Sequence, residues 1–163
     1  ARRGEAFGLK IAYYGRNRQA DVAFPYYGDL VAMARDVDIL MVILPGGPAT
    51  YHLINRQVLE ALGPSGILIN VARGTVVDEQ ALIEVLEKKQ ILGAGLDVFE
   101  FEPKVPQALI NLDNAVLLPH VGSASHHTRN RMGQLVVDNI LAIAAGNAPL
   151  TPVVETPWPK TAG

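Results

Sequence analysis

The chain has 163 residues, of which 49% are hydrophobic, and this is enough apolar material for one globular domain with a packed core. Charged residues make up 18%, below the roughly 25% of average soluble domains, which favours a surface partly covered by a second domain or subunit. The net charge of -2 argues against a broad basic surface for nucleic acid or anionic membrane, and the absence of cysteine excludes disulfides, thiolate metal sites and cysteine nucleophiles.

The apolar runs are too short for a membrane protein. None approaches the roughly 20 residues that a membrane-spanning helix needs. The first five residues are not followed by the apolar core of a secretory signal. Since the chain also lacks cysteine, we predict a cytoplasmic protein that has neither a membrane nor a nucleic acid as partner.

The N-terminal residues predict the end of a helix that runs directly into a strand. Residues 1–7 resemble the last turns of a helix, and residues 9–14 form the first strand-like apolar run. A doubly wound α/β fold has a further strand and a glycine-rich turn before such a helix. Neither is in the sequence, so we expect the first strand and its turn to be missing.

Four further strand-like runs alternate with helical patterns. They cover residues 37–44, 66–71, 91–98 and 115–118, and most look buried on both faces. This rhythm predicts an α/β fold with a doubly wound, mostly parallel sheet and crossover helices on both sides.

Three helices are marked by their ends. An asparagine caps residues 55–62, which stop at Gly63-Pro64, and residues 78–89 carry acids in the first turn and lysines in the last, as the helix dipole favours. The longest helix, residues 125–145, repeats apolar residues at helical spacing and is followed by a glycine. We therefore predict one α/β domain over residues 1–146.

The composition changes after this domain. Residues 147–163 show no periodicity and contain four prolines, Pro149, Pro152, Pro157 and Pro159. Such a segment is typical of a linker or of a tail that packs on another domain.

Three ionisable residues, Arg73, Glu102 and His120, each follow an apolar strand-like run. In an open α/β sheet, ligands bind beyond the carboxyl ends of the strands, so the three side chains could share one crevice. Alternatives remain, because arginines often form caps or surface ion pairs, and Asp97 and Glu100 are acids close enough to replace Glu102. The sequence indicates a candidate site with its acid undecided.

The three residue types together suit the reduction of a 2-oxoacid. A guanidinium such as that of Arg73 can hold the substrate carboxylate with a fixed fork of donors and polarise the carbonyl. An imidazolium such as that of His120 can donate a proton to the alkoxide that develops as hydride reaches the carbonyl carbon. A carboxylate on the other ring nitrogen fixes the tautomer of the histidine and raises its pKa, and Glu102 is the candidate.

Four ordered segments resemble the signatures of the D-2-hydroxyacid dehydrogenase family. The resemblance covers nearly the whole range from Gly8 to Pro152, and the spacing from Arg73 to Glu102 (102 minus 73, or 29) is that of the family. It implies an incomplete Rossmann NAD(P)-binding domain over residues 1–146 and a tail that leads towards an absent substrate domain. The segments are LPGGPAT at residues 44–50, NVARG at 70–74, GAGLDVFEFEP at 93–103 and PHVGSA at 119–124.

The resemblance also implies roles for individual residues. Arg73, Glu102 and His120 match the catalytic Arg, Glu and His of the family, and Glu102 is chosen over Glu100 because the family's glutamate precedes a proline. The implied cofactor contacts are Leu44, Pro45 and Thr50 beside the adenosine, Val71, Ala72, Arg73 and Asp97 near the nicotinamide, and His120, Gly122 and Ser123 by the nicotinamide ribose or the substrate.

The end of the strand at residues 9–14 bears on the choice of cofactor. In NAD-preferring Rossmann folds an acid at this position binds the ribose 2′-hydroxyl, whereas arginine accommodates a 2′-phosphate. Here Arg16, Asn17 and Arg18 follow the strand and no acid is present. Two solvated loop arginines are the alternative. We predict NADPH in preference to NADH, with NAD(H) possible.

The predicted function is hydride transfer from NADPH to a small 2-oxoacid, giving a D-2-hydroxyacid. The Gly-Arg sequence is similar to that of the glyoxylate/hydroxypyruvate reductase branch, and the family implies a homodimer formed through this domain. The alternatives are a nucleotide-sensing protein of the same fold, like the C-terminal-binding-protein corepressors, and an inactive fragment without a pyrophosphate-binding turn. We predict no metal site, because no histidine has partners at ligand spacing.

Overall fold

The computed structural model describes residues 1–155 and Trp158, in which helices and strands alternate along much of the chain. The strands are β1 (Tyr13–Tyr14), β2 (Tyr26–Tyr27), β3 (Ile39–Val42), β4 (Ile67–Asn70), β5 (Gly93–Leu96) and β6 (Ala115–Leu117). The helices are α1 (Arg2–Ala6), α2 (Leu30–Asp36), α3 (Arg56–Leu62), α4 (Glu79–Glu87), α5 (Gln107–Ile110) and α6 (His126–Ala144), with short 3-10 turns at Pro48–Thr50 and Gly74–Val76.

The described strands pair in parallel throughout. β3, β4, β5 and β6 form a four-stranded sheet in that order, while β1 and β2 form a separate pair. Val42, Asn70, Leu96 and Leu117 lie level in the register, so the carboxyl ends of the four strands meet at one edge. The predicted α/β class with a parallel sheet is confirmed.

One face of the four-stranded sheet packs against α2 to α5. Along β3 and β4 every second residue is buried, and the helices contribute apolar side chains such as Leu59 and Leu82 to the same core. Each buried leucine of this kind contributes about 1.5 to 3 kcal/mol relative to an exposed one. The predicted cap of α3 is confirmed, since the Asn55 side chain accepts from the Val58 N–H at 3.1 Å. Asp78, which we placed in the first turn of α4, is the cap of that helix and accepts from the Ala81 N–H at 3.0 Å.

The opposite face of this sheet is less buried, with intermediate exposure along β4 and β5 and exposed side chains along β3. Ile39 is 44% exposed, Met41 55% and Ile43 71%, so the prediction that most strands are buried on both faces is wrong for β3. An apolar run shows that both faces of a strand favour burial, but not whether neighbouring parts of the chain cover them.

Three of these helices and strands were missed in the sequence. β2 has two residues and α5 has four, too few to show a pattern, whereas α2 carried a usable signal: Asp29 caps it by accepting from the Val31 N–H at 2.9 Å. The strands that were predicted are shorter in the structure, and the run at residues 9–14 is reduced to Tyr13 and Tyr14.

The chain divides into two compact units, residues 1–119 and residues 120–163. In the second, Ser125 caps α6, and the side chain of Asn139 accepts from the Thr151 N–H at 3.2 Å, which attaches the start of the tail to the helix. The predicted boundary at residue 146 falls inside this unit. The predicted tail prolines at 157 and 159 lie outside the described residues.

The longest helix, α6, buries none of its side chains. Its apolar residues repeat as predicted, but each is exposed: Met132, Leu135, Val136, Ile140 and Ile143. In the part of the chain that the structure describes, no helix is long and apolar enough to cross a membrane.

Candidate active site

Asn70 shapes the turn that carries Arg73. It is the last residue of β4 and is 1% exposed. Its side-chain oxygen accepts from the Ala72 N–H at 3.0 Å, and its side-chain nitrogen donates to the Arg73 carbonyl at 3.1 Å. Both polar atoms of this buried amide are thereby satisfied, as burial requires. We gave Asn70 no role from the sequence, although a polar residue that closes an apolar strand was the available signal.

The Arg73 side chain lies across Gly46. A Cβ on Gly46 would lie 2.8 Å from Cγ of Arg73, so the side chain needs glycine beneath it. Its Nη1 donates to the Ala72 carbonyl at 2.6 Å. Arg73 forms no ion pair with any residue that the structure describes. The rest of its guanidinium donors can therefore bind an anion.

Glu102 closes the turn that follows β5. Its Oε1 accepts a hydrogen bond from the Phe99 N–H at 3.0 Å, and its peptide bond to Pro103 is cis. This bond uses one oxygen of the carboxylate to hold residues 99–102 in a tight turn, in the manner of a side chain that caps its own loop.

The turns of Arg73 and Glu102 are in direct backbone contact. A Cβ on Gly74 would overlap the carbonyl of Phe99 and the backbone nitrogen of Glu100. Only glycine therefore fits at position 74. The structure thus brings into contact the two turns that carry Arg73 and Glu102, at the carboxyl ends of the adjacent strands β4 and β5.

Glu100, which the sequence left as an alternative to Glu102, has other partners. Its Oε1 lies 2.9 Å from Nε2 of His52 and accepts from the Tyr51 hydroxyl at 3.1 Å, and this hydrogen bond raises the pKa of Tyr51. Asp97, the other alternative, is 6% exposed. The carboxylate of Glu100 is thus engaged by residues 51 and 52, and it brings in His52, which the sequence gave no function.

Glu79 adds a second carboxylate beside Glu100. It lies in the first turn of α4 and accepts from the Glu100 N–H at 3.1 Å. Burial raises the pKa of Glu79, and the bond from the Glu100 N–H partly offsets that rise. The Glu100 turn is thus held from both its side chain and its backbone.

An open groove of about 710 Å³ lies at the ends of β3 and β4. Its volume is within the roughly 300 to 1,000 Å³ of small-molecule sites. Among the predicted cofactor contacts, five line it: Leu44, Pro45, Val71, Ala72 and Arg73. Thr50 does not, because its hydroxyl lies 2.9 Å from the Pro45 carbonyl and 3.2 Å from that of Gly47, where it closes the loop.

The loop of Arg16, Asn17 and Arg18 follows β1 and is exposed. The hydroxyl of Tyr26 donates to the Gly15 carbonyl at 3.1 Å, and the hydroxyl of Tyr13 accepts from the Gln19 N–H at 2.9 Å. Those two rings lie 5.3 Å apart on the paired strands. The loop is therefore anchored at both ends by tyrosines, which sequence reasoning missed.

The remaining predicted contacts begin the second unit. His120 is its first residue and has a φ of +55°, in the left-handed region that few non-glycine residues adopt. Gly122 and Ser123 follow it, exposed, ahead of the cap of α6. Within the described parts of both units, no group of three or more His, Asp or Glu side chains could hold a metal ion.

One known protein family and several individual proteins are similar in sequence to this chain. The family described as D-isomer specific 2-hydroxyacid dehydrogenase, NAD binding domain, matches residues 1–122. The hydroxyphenylpyruvate reductase of Plectranthus scutellarioides is 50% identical over 94% of this chain and 49% of its own length. A glyoxylate/hydroxypyruvate reductase of Arabidopsis thaliana is 51% identical over the same shares. The chain spans about half the length of the curated relatives it matches.

Solved structures resemble the chain over nearly all of its length. The NADPH-dependent glyoxylate/hydroxypyruvate reductase of Sinorhizobium meliloti, in complex with NADP and malonate, is 53% identical with a TM-score of 0.93, over 99% of this chain and 50% of that one. Holo D-mandelate dehydrogenase of Rhodotorula graminis is 31% identical with a TM-score of 0.88, over 96% and 47%.

Proposed function

The chain belongs to the D-isomer specific 2-hydroxyacid dehydrogenase family, as its four motifs predicted, and from this premise we propose that its protein reduces a small 2-oxoacid of the glyoxylate or hydroxypyruvate type with NADPH. The observation that carries the proposal is the backbone contact between the turns of Arg73 and Glu102 beside an open groove. The product is the D-2-hydroxyacid. A relative that is 53% identical is an NADPH-dependent glyoxylate/hydroxypyruvate reductase.

Arg73 is proposed to bind the substrate carboxylate. It borders the groove, and no described acid neutralises its guanidinium. The fork of N–H donors suits a planar carboxylate and also polarises the neighbouring carbonyl oxygen. The bond from Nη1 to the Ala72 carbonyl holds the plane of the guanidinium, so less freedom is lost when the substrate binds.

His120 is proposed to be the proton donor, and Glu102 the residue that orients it. When bound, NADPH supplies the hydride that reduces the carbonyl carbon. The carbonyl oxygen then takes the electron pair of the broken π bond, and a proton from the imidazolium of His120 converts it to the hydroxyl.

The groove and the cationic loop fit a dinucleotide phosphate. Arg16 and Arg18 are exposed and form no ion pair with a described residue, which leaves their donors for a 2′-phosphate. The tyrosine bonds at Gly15 and Gln19 hold the loop in place before the anion binds. The other proposed cofactor contacts are Asn17, Leu44, Pro45, Thr50, Val71, Ala72, Asp97, Gly122 and Ser123.

The exposed apolar side of α6 supports the further proposal of a homodimer. A contiguous apolar surface of this kind is typical of an interface. We also propose, from the composition, that the protein works in the cytoplasm without a nucleic acid or membrane partner, and that residues 147–163 lead towards a substrate domain.

The test is NADPH oxidation by the full-length protein with glyoxylate or hydroxypyruvate. We expect turnover that the variant His120→Ala abolishes and that His126→Ala, a nearby exposed histidine on α6, retains. Undiminished turnover in His120→Ala would contradict the assignment. Tight NADPH binding without turnover on any oxoacid would favour the nucleotide-sensing alternative.

A further inference from the structure

His52 connects the two turns that carry Arg73 and Glu102. Its backbone N–H donates to the carbonyl of Thr75, two residues after Arg73, at 2.9 Å. Its ring nitrogen Nε2 lies 2.9 Å from Oε1 of Glu100, two residues before Glu102. A single residue from a third loop therefore bonds to both turns.

The backbone of His52 is held in an unfavourable conformation. Its φ is +48°, a value that glycine adopts freely and a residue with a Cβ does not. Such conformations persist where the surroundings determine them. Here the imidazole stacks on the ring of Tyr51, with 3.9 Å between centroids and 15° between planes, and points at Glu100. The side chain contacts thus account for a histidine at a position where the backbone favours glycine.

The carboxylate of Glu100 depends on this imidazole. Its side chain is 8% exposed, and a buried carboxylate needs donors to replace water. Only Tyr51 and His52 donate to its Oε1 among the bonds described, and the nearby carboxylate of Glu79 carries the same charge. Without His52, Tyr51 would be the one donor left to this buried carboxylate among the bonds described.

We propose that His52 and Glu100 are positioning residues that fix the Glu102 turn relative to the Arg73 turn. The inference rests on the proposed function. The turns are already joined by the contact of Gly74 with Phe99, by the bond from the Asp97 N–H to the Asn70 carbonyl and by the bond from the Glu100 N–H to Glu79. The His52 to Glu100 bond adds a side-chain contact from a third loop, two residues before Glu102, and so narrows the range of distances between the guanidinium and the carboxylate.

The variants are chosen to separate position from stability. His52→Gly removes the imidazole and suits the positive φ, and Glu100→Gln removes the charge while keeping the shape. The matched control is Arg56→Ala, which breaks a 2.7 Å ion pair between Arg56 on α3 and Glu84 on α4 that contacts neither turn. The two single variants, the double variant His52→Gly/Glu100→Gln and the control are all measured in the full-length protein.

Kinetics provide the first measurement. We expect kcat for oxoacid reduction to fall about tenfold or more in His52→Gly and Glu100→Gln, since small misplacements of reacting groups have large effects on rate. KM for NADPH should stay within twofold of the wild type, and the double variant should lose no more than the worse single variant. Arg56→Ala should lower the melting temperature with kcat unchanged. Equal kcat losses in Arg56→Ala, or additive losses in the double variant, overturn the inference.

Hydrogen exchange provides a measurement that needs no turnover. The amides of Phe99 and Glu100 should exchange faster in His52→Gly than in the wild type, and at the wild-type rate in Arg56→Ala. Unchanged exchange in His52→Gly overturns the inference. If the wild-type protein does not reduce an oxoacid with NADPH, the proposed function fails, and exchange alone then decides whether His52 fixes the Glu102 turn.

Discussion

The turns of Arg73 and Glu102 and the loop of Arg16 and Arg18 are held in opposite ways. The turns touch through their backbones, and the buried Asn70 amide fixes the first of them. The loop is exposed, and the hydroxyls of two tyrosines anchor its ends. Groups that react need fixed positions, whereas groups that select an anion need charge and reach. We therefore expect changes in the turns to alter rate or folding and changes in the loop to alter cofactor choice by smaller factors.

The largest effect is expected for Arg73→Lys. Lysine keeps the charge but loses the planar fork, so kcat/KM for the oxoacid should fall by about 100- to 1,000-fold, as when one donor to a developing oxyanion is removed. Steady-state kinetics measure this, with Arg56→Lys on α3 as the control at unchanged kcat/KM. A loss below tenfold would show that charge alone suffices and that the turn does not need its precise position.

Gly74→Ala tests the contact between the turns. The new methyl group would overlap the Phe99 carbonyl, so the free energy of unfolding should fall by about 3 kcal/mol. Gly133→Ala is the matched control, because nothing lies within 4 Å of its Cβ position on α6 and alanine should stabilise that helix by about 0.5 to 1 kcal/mol. Denaturant titration of both variants checks the difference in sign, and a neutral Gly74→Ala would refute the contact.

Removing the loop charges should change selectivity. In Arg16→Ser/Arg18→Ser we expect KM for NADPH to rise about tenfold or more and KM for NADH to stay constant, since each hydrogen bond to a charged group is worth about 1.5 to 3 kcal/mol. Arg35→Ser, an exposed arginine of α2, is the control. An equal rise for both cofactors would mean that the loop binds something other than the 2′-phosphate.

The tyrosine anchors should have a smaller effect of the same kind. Tyr13→Phe and Tyr26→Phe each remove one hydroxyl, and KM for NADPH should rise about two- to fivefold, as expected for a neutral hydrogen bond of about 0.5 to 1 kcal/mol. Tyr27→Phe removes a hydroxyl that donates to Asp36, away from the loop, and should leave KM unchanged. Equal values for the three variants would show that the loop needs no anchors.

The smallest effect concerns Glu79 beside the turns. Burial raises the pKa of Glu79 in the folded state above its value in the unfolded state. Between these two pKa values the unfolded state binds fewer protons, so the free energy of unfolding falls as the pH rises. Glu79→Gln should therefore raise the melting temperature at pH 7 by no more than about 2 °C, and the gain should vanish at pH values below the unfolded pKa of Glu79. Thermal melts from about pH 4 to about pH 8 measure this gain, since the ordinary pKa of a glutamate lies near the lower end of that range.

Local sequence patterns predicted the strands and helices more accurately than they predicted the contacts between loops. The apolar runs and capping residues located β3 to β6 and the helices α3, α4 and α6 to within a few residues, because these signals lie next to the structure they specify. β2 and α5 were missed because two and four residues are too few to show a period, and α2 was missed because the capping signal of Asp29 was overlooked.

In the candidate site too, local patterns pointed to individual residues but not to the contacts between residues far apart in the chain. Arg73 and Glu102 were identified from strand ends and motifs, and the structure brings their turns together. The bond between His52 and Glu100 joins residues 48 positions apart, and such pairings have no local signal in a single sequence. The tyrosine anchors were missed for a similar reason, since the hydroxyl of each tyrosine bonds to a backbone atom of another residue.

The exposure of the loop of Arg16 and Arg18 has a practical consequence. Both arginines lie in an exposed loop between β1 and β2, and exposed loops are the preferred sites of proteolytic cleavage. Trypsin should therefore cleave readily after Arg16 or Arg18. A dinucleotide phosphate that binds both side chains would block the cut, so the rate of proteolysis becomes a footprint of cofactor binding that requires no substrate.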